Sequence, residues 1–234
     1  MRFRPSTLEE RKQFYEKEFP LQKARSWFRK IPQPQICAVD AGSDTGIIAD
    51  RKLRGLLLYF PFAELQKKIR QYIPEDIYYD RNRYEDPEKV LKTLKFDDHI
   101  SQELVFDLDA DNIHCAHPKS QQVCPVCLKK AYQKTVAMKK ELEKEFRSIE
   151  VVYTGKGFHL HVLDKKAFFL TIHEREQLNK RFSKYPIDPW VSRGYIRLIR
   201  MPYTLNALVS RKAIPVDTGK GFNPKEAIPG FLKR

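Results

Sequence analysis

Nowhere in these 234 residues is there an apolar run of transmembrane length. The longest, Leu56-Leu57-Leu58-Tyr59-Phe60 with its neighbours, suits a buried strand, so a membrane-spanning protein is excluded from the reading. Met1-Arg2-Phe3-Arg4-Pro5 lacks the apolar core of a secretory signal, and the expected location is intracellular, cytoplasmic and nucleoid-associated. Neither an internal repeat nor a low-complexity linker interrupts the chain. Acidic side chains are in deficit, 30 against 44 Lys and Arg, which gives a formal charge of +14. A globular chain this basic is expected to face a polyanion, with nucleic acid the first candidate, although part of the excess is ordinary solubility charge on exposed helices. Cysteine is scarce too. Of the four, at positions 37, 115, 124 and 127, three crowd one segment with His114 and His117, which in a reducing compartment argues for metal rather than disulfides.

What is present reads as mixed α/β. Ser6-Thr7-Leu8-Glu9 has the form of a capping box, with Ser6 as N-cap, opening a helix through Phe14, Tyr15 and Phe19. Ile36–Val39 and Gly55–Phe60 read as strands around the loop Gly42-Ser43-Asp44-Thr45-Gly46, a hairpin connection more than a phosphate cradle. Further on come a helix from Phe62 to Ile73, a strand at Ile77-Tyr78-Tyr79, and a helix started by Asp86 and Pro87. Leu128 to Phe146 has helical periodicity. Val151-Val152-Tyr153 and Phe158 to Leu163 are strands about a Gly155-Lys156-Gly157 turn, and Thr171 to Glu174 is another capping box. A boundary near Ser101 divides an N-terminal α/β unit, 1–100, from a motif-bearing half, 101–234.

Four constellations carry chemistry. In Leu104-Val105-Phe106-Asp107-Leu108-Asp109, strand alternation aims Asp107 and Asp109 at one face and Phe106 and Leu108 at the core. Two carboxylates held that close repel, and a divalent cation with oxygen ligands, Mg²⁺ or Mn²⁺, is the natural remedy; an isolated Asp-x-Asp would otherwise be a strand end entering a polar turn. Next, Cys115-Ala116-His117 and Cys124-Pro125-Val126-Cys127 supply two ligand pairs across a short loop, the pattern of a closed Cys₃His structural zinc site spanning 114–128, in which His114 could replace Cys115 or His117. Cys37 is most simply a core residue. Third, Thr154, Lys156 and His159 surround a two-glycine turn whose amides can approach an anion, with His161 on the same face as His159. Asp188, in Pro186-Ile187-Asp188-Pro189-Trp190, is a candidate third carboxylate, and Arg200, in Arg197-Leu198-Ile199-Arg200, a candidate partner for phosphate charge.

In this order and spacing the motifs resemble the archaeo-eukaryotic primase superfamily, in particular the archaeal small catalytic primase subunit, over roughly positions 60 to 210. The resemblance implies an RRM-like sheet packed against an N-terminal α/β unit, a groove between them, and an inserted structural zinc knuckle. It implies two catalytic Mg²⁺ or Mn²⁺ on Asp107, Asp109 and Asp188, and triphosphate contacts from Thr154, Lys156, His159 and Arg200. Zinc would lie on Cys115, His117, Cys124 and Cys127. The implied activity is template-directed joining of nucleoside triphosphates on DNA, with a large primase subunit or end-joining factors as further partners. Departures are Thr204-Leu205-Asn206-Ala207-Leu208, where the family reads Ser-Leu-His-Gly-Lys, Gly194 in place of an Asp before the Arg-Leu-Ile-Arg strand, and little sequence after Asp217.

Two competing readings follow. A repair polymerase of the same superfamily, acting in end joining, shares the carboxylates and the Gly-Lys-Gly-x-His element, and Pro202-Tyr203-Thr204-Leu205 is similar to that branch. From another class, the chain could be a non-catalytic, zinc-stabilised nucleic-acid-binding module; the joint survival of three carboxylates and the Lys-His pair argues against it. A zinc hydrolase is disfavoured because four protein ligands leave no position for activated water.

Overall fold

Apolar residues alternate or recur with helical period along most of the chain, and the elements follow that pattern. The structure is a computed structural model, describing residues 3–42, 57–113 and 123–233. In chain order the elements begin with α1 (Leu8–Lys17), α2 (Leu21–Trp27), β1 (Ile36–Asp40), β2 (Leu57–Pro61), α3 (Leu65–Tyr72), β3 (Asp76–Asp80), β4 (Asn82–Arg83), α4 (Pro87–Thr93), β5 (Ser101–Gln102) and β6 (Leu104–Asp109). They continue through α5 (Pro125–Leu142), β7 (Ile149–Tyr153), β8 (Gly157–Val162), α6 (Ile172–Arg181), α7 (Pro189–Arg193), β9 (Leu198–Arg200), β10 (Leu205–Asn206), β11 (Arg211–Lys212) and β12 (Ile214–Val216). The expected mixed α/β class is what the chain adopts.

The strands form two four-stranded antiparallel sheets, ordered β2-β1-β3-β9 and β12-β7-β8-β6, plus two short ladders. Alternation gives the second sheet two different faces. Phe106, Leu108, Phe158 and Leu160 enter a core with Ala131, Met138 and Leu142 of α5 and with Phe182. Val105 and Val152, on the other face, share a cluster with Cys37, Val39, Ile77 and Tyr79 of the first sheet. The two sheets therefore pack face to face over one apolar layer, and the polar residues of β6 and β8 on that same face lie along their junction. β9, late in the chain, crosses over to pair with β3, pairing Tyr79 with Ile199.

Local signals explain most helix starts. Thr171 and Glu174 form the expected capping box of α6, and Asp86 caps α4 with Pro87 at its first position. At α1 the box is one residue later than expected. Thr7, not Ser6, is the N-cap, with Glu10 reaching back, because Ser6 is occupied elsewhere: its N–H and hydroxyl both donate to the Ala207 carbonyl, at 2.8 and 3.3 Å. Glu10 is further held by Arg4 at 2.5 and 2.8 Å. The long helix begins at Pro125, one turn of chain before the periodic stretch. The β1 and β2 strands pair as expected, and residues 43–46 of their connecting loop lie outside the described residues.

Arg81 pins the sheets at their shared end. From a position 3% exposed, its Nε donates to the Ile196 carbonyl at 2.9 Å, Nη1 to the Glu103 carbonyl at 2.9 Å, and Nη2 to the Val191 carbonyl. Burial lowers its pKa to about 10, which leaves it charged at neutral pH. Arg81→Met removes three charged hydrogen bonds to carbonyls and is expected to lower unfolding free energy by about 3 kcal/mol or more, readable by urea denaturation. A loss near zero would mean that the sheets are joined by apolar packing alone.

Candidate active site

β6 is an edge strand whose exposed edge meets the segment carrying position 188. Asp107 lies opposite His159 in the β6–β8 register and Asp109 opposite Gly157. On the other side Leu108 bridges Ile187, and the Asp188 N–H donates to the Asp107 carbonyl at 2.8 Å. Residues paired across antiparallel strands point to the same face, so Asp188 is delivered beside Asp107 by backbone register, more than 75 residues downstream. Its carboxylate is then used locally: Oδ1 accepts from the Trp190 N–H at 2.8 Å and caps α7. Among the described residues no group of three or more His, Cys, Asp or Glu side chains stands ready to hold a metal ion.

The strand pair is electrostatically strained. Burial first, and Asp107 second, raise the Asp109 pKa to about 7, against the opposing pull of His159 and Lys156. Asp107 Oδ1 is buried and accepts no hydrogen bond; His159 Nε2 lies 3.5 Å from it. A pair with one unsatisfied buried oxygen and one carboxyl pushed toward neutrality fits the donor chemistry of a hard divalent cation. Gly157 allows the arrangement. A Cβ there would stand 2.3 Å from the Leu108 carbonyl oxygen and 2.5 Å from Asp109 Oδ1, so any side chain would displace the carboxylate.

The turn after β7 supplies the basic side. Gly155 has φ +102°, and the Thr154 hydroxyl accepts from the Gly157 N–H at 3.2 Å, which closes the turn. Lys156 projects from it to Asp111 Oδ2 at 2.5 Å. Thr154, Lys156 and His159 are thus gathered next to the carboxylate strand. Arg200 is set one strand away. It pairs with Asp76 and lies over the Tyr78 ring; burial works against its charge, yet Asp76 more than compensates and its pKa is raised overall. Its link to the turn runs through β10, where Asn206 Nδ2 donates to the Thr154 carbonyl at 2.9 Å.

Several participants were not assigned from sequence. Asp111 and Asp76, the partners of Lys156 and Arg200, give no signal beyond being acidic. Asn206, a departure from the expected family residue, props the turn. Behind His159 is a buried polar group: His161 Nδ1 lies 2.9 Å from Glu103 Oε1, and the Tyr79 hydroxyl donates to Glu103 Oε2 at 2.7 Å. Burial lowers the His161 pKa, with Glu103 opposing, so the ring is neutral and donates from Nδ1. Shared facing of His159 and His161, legible from alternation, was the one hint. For the cysteine cluster, Cys115 and His117 lie outside the described residues; Cys124 is the N-cap of α5 and Cys127 is buried in its first turn.

Sequence comparison adds the lineage. No protein-family model matches the chain. It is 35% identical to an uncharacterized DNA primase small subunit-like protein of Archaeoglobus fulgidus, over 98% of this chain and 91% of that one. The chain belongs to the DNA primase small subunit-like family. It is 30% identical to the DNA primase small subunit of Pyrococcus horikoshii, over 76% of this chain and 49% of that one. The counterpart in Thermococcus sibiricus is 29% identical over 86% and 59%. The chain therefore spans about half the length of these primase subunits. Among solved structures, the polymerase domain of Mycobacterium tuberculosis ligase D in complex with DNA matches with a TM-score of 0.45 and 13% identity, over 87% of this chain and 80% of that one. No described helix is long and apolar enough to cross a membrane.

The raised Asp109 pKa has a thermodynamic consequence. Between the ordinary carboxylate range and about 7, the folded chain holds a proton here that the unfolded chain releases, so this group's contribution to metal-free stability falls as pH rises through that window. Manganese is accordingly expected to raise the melting temperature more at pH 8 than at pH 5. Asp109→Asn is expected to be less sensitive to pH than the wild type when metal-free. Identical metal-free profiles for the two proteins would contradict the assignment.

Proposed function

We propose that this protein is a template-directed nucleotidyltransferase, a primase or primase-polymerase that joins nucleoside triphosphates on a DNA template. The observation that carries the reading is the delivery of Asp188 to Asp107 by the Ile187–Leu108 bridge, next to the strained Asp107–Asp109 pair. Asp107 and Asp109, with Asp188 turned from its helix cap, would hold two Mg²⁺ or Mn²⁺. Bound divalent cations supply activation of the attacking 3′-hydroxyl and neutralisation of charge on the departing pyrophosphate.

The rest is done by the chain. Lys156, released from Asp111, pairs with the triphosphate, and the turn that Thr154 closes holds the backbone against it. His159, fixed opposite Asp107, is placed to donate to a phosphate oxygen. Arg200 is held by Asp76 within one strand of that turn and adds positive charge to it. The net charge of +14 suits DNA as the second substrate. Cys115, His117, Cys124 and Cys127 would hold a structural zinc; the last two, placed on one turn at the start of α5, have the spacing of a knuckle.

Asp107→Ala with Asp109→Ala is expected to lower template-dependent nucleotide incorporation by ~1,000-fold or more. Unchanged incorporation would hand the protein to the non-catalytic module reading. Primer-free synthesis on single-stranded template, exceeding extension across a gapped, 5′-phosphorylated duplex, is expected of a primase, and the reverse ranking of an end-joining polymerase. Stripping zinc with a strong chelator is expected to lower the melting temperature, measured by calorimetry; equal melting would remove the zinc from this account.

A further inference from the structure

Apolar side chains left in water need a reason, and two large ones stand immediately beyond Asp188. Trp190 is 61% exposed and Tyr195 53%, their ring centroids are 5.5 Å apart, and neither belongs to a core cluster. They are not loosely placed. The Trp190 carbonyl accepts from the Tyr195 N–H at 3.0 Å and the Ile196 N–H at 3.1 Å, and the buried Arg81 holds the carbonyls of Val191 and Ile196. Gly194, at φ +102°, makes the tight turn between the rings, and Gln102 Nε2 donates to its carbonyl at 3.0 Å. Rigid aromatic faces exposed to solvent are what stacking on a base requires, since little ordering cost remains at binding.

Position and charge decide the occupant. Asp188 is the N-cap of the helix bearing Trp190, so the rings begin two residues from the proposed reaction centre. Arg193, in the last turn of the same helix, lines with Tyr195 and Arg175 a groove of about 280 Å³. The chain carries +14 overall. We propose that Trp190 and Tyr195 form a stacking platform for single-stranded nucleic acid: bases lie on the rings, Arg193 meets the phosphates, and the unpaired template strand is fed past Asp188. This rests on the polymerising reading and adds to it the site where unpaired bases are held.

The two tryptophans make a direct test. Trp27 is 2% exposed, so a ligand that stacks on the surface quenches only Trp190. Titration of the full-length protein with oligothymidylate, at one fixed salt concentration, is expected to quench its fluorescence. Binding followed independently by anisotropy of a labelled oligonucleotide is expected to weaken about ten-fold in Trp190→Ala and to recover in Trp190→Phe, with melting temperatures unchanged. Equal affinity of wild type and Trp190→Ala, with incorporation still dependent on Asp107, overturns the platform and leaves the polymerising reading standing. A wild type that binds no single strand and incorporates no nucleotide overturns both. Self-association lost in Trp190→Ala, without any quenching by the oligonucleotide, assigns the rings to a second copy and also overturns the platform.

Discussion

Two carboxylates on one strand face, half-withdrawn from water and facing one another's charge, set the terms for everything around them. Asp107 and Asp109 cannot both be comfortably ionised where they stand, as the upward shift at Asp109 shows. A structure could relieve this by turning one side chain out to solvent. Here the register forbids it: Gly157 lets Asp109 sit tight against β8, and His159 occupies the position opposite Asp107. The strain is held by a sheet whose other face is fully packed against α5, so the backbone cannot yield.

From that constraint the layout of the surrounding side chains follows. Each basic group near the pair has an acidic partner: Lys156 with Asp111, Arg200 with Asp76, His161 with Glu103. The Lys156–Asp111 pair is partly exposed and individually weak, so an incoming polyanion can exchange for Asp111 at little cost, whereas Arg200–Asp76 is largely withdrawn from water. The Glu103–His161 contact is of another sort. It is fully buried between the sheets, with Tyr79 on its far side, and it backs the ring of His159 at a centroid distance of 5.7 Å. Arg81 and Arg175 add a ring of carbonyl contacts around residues 102 and 103. The layer behind the pair is thus polar but closely bonded, while Lys156 and Asp111 beside it carry the exchangeable charge.

Much of this was legible in the chain because strand periodicity is exact. Asp-x-Asp and His-x-His each had to share a face, and the turn at Gly155 to Gly157 had to join two strands. The primase kinship followed from the order of these motifs. Helix ends were less readable: Ser6 and Thr7 are chemically equivalent as caps, and the choice between them was made by a carbonyl at Ala207, two hundred residues away. The same is true of Asp188. An Asp-Pro pair reads as a turn, whereas Asp188 is a helix cap, and the Ile187–Leu108 bridge that sets it beside β6 has no local signature. Asp76, Asp111 and Glu103 were invisible for the related reason that ion pairs between distant segments leave no spacing rule.

The proposed chemistry requires Asp188 to leave its cap and join the pair on β6. Crystals soaked with manganese and a nucleoside triphosphate, with anomalous scattering used to locate the metal, examine this most directly. The expected result is manganese bound by Asp107, Asp109 and Asp188 together, with the Trp190 N–H released by the carboxylate. Manganese absent from β6, or bound there while Asp188 still caps its helix, would contradict the account.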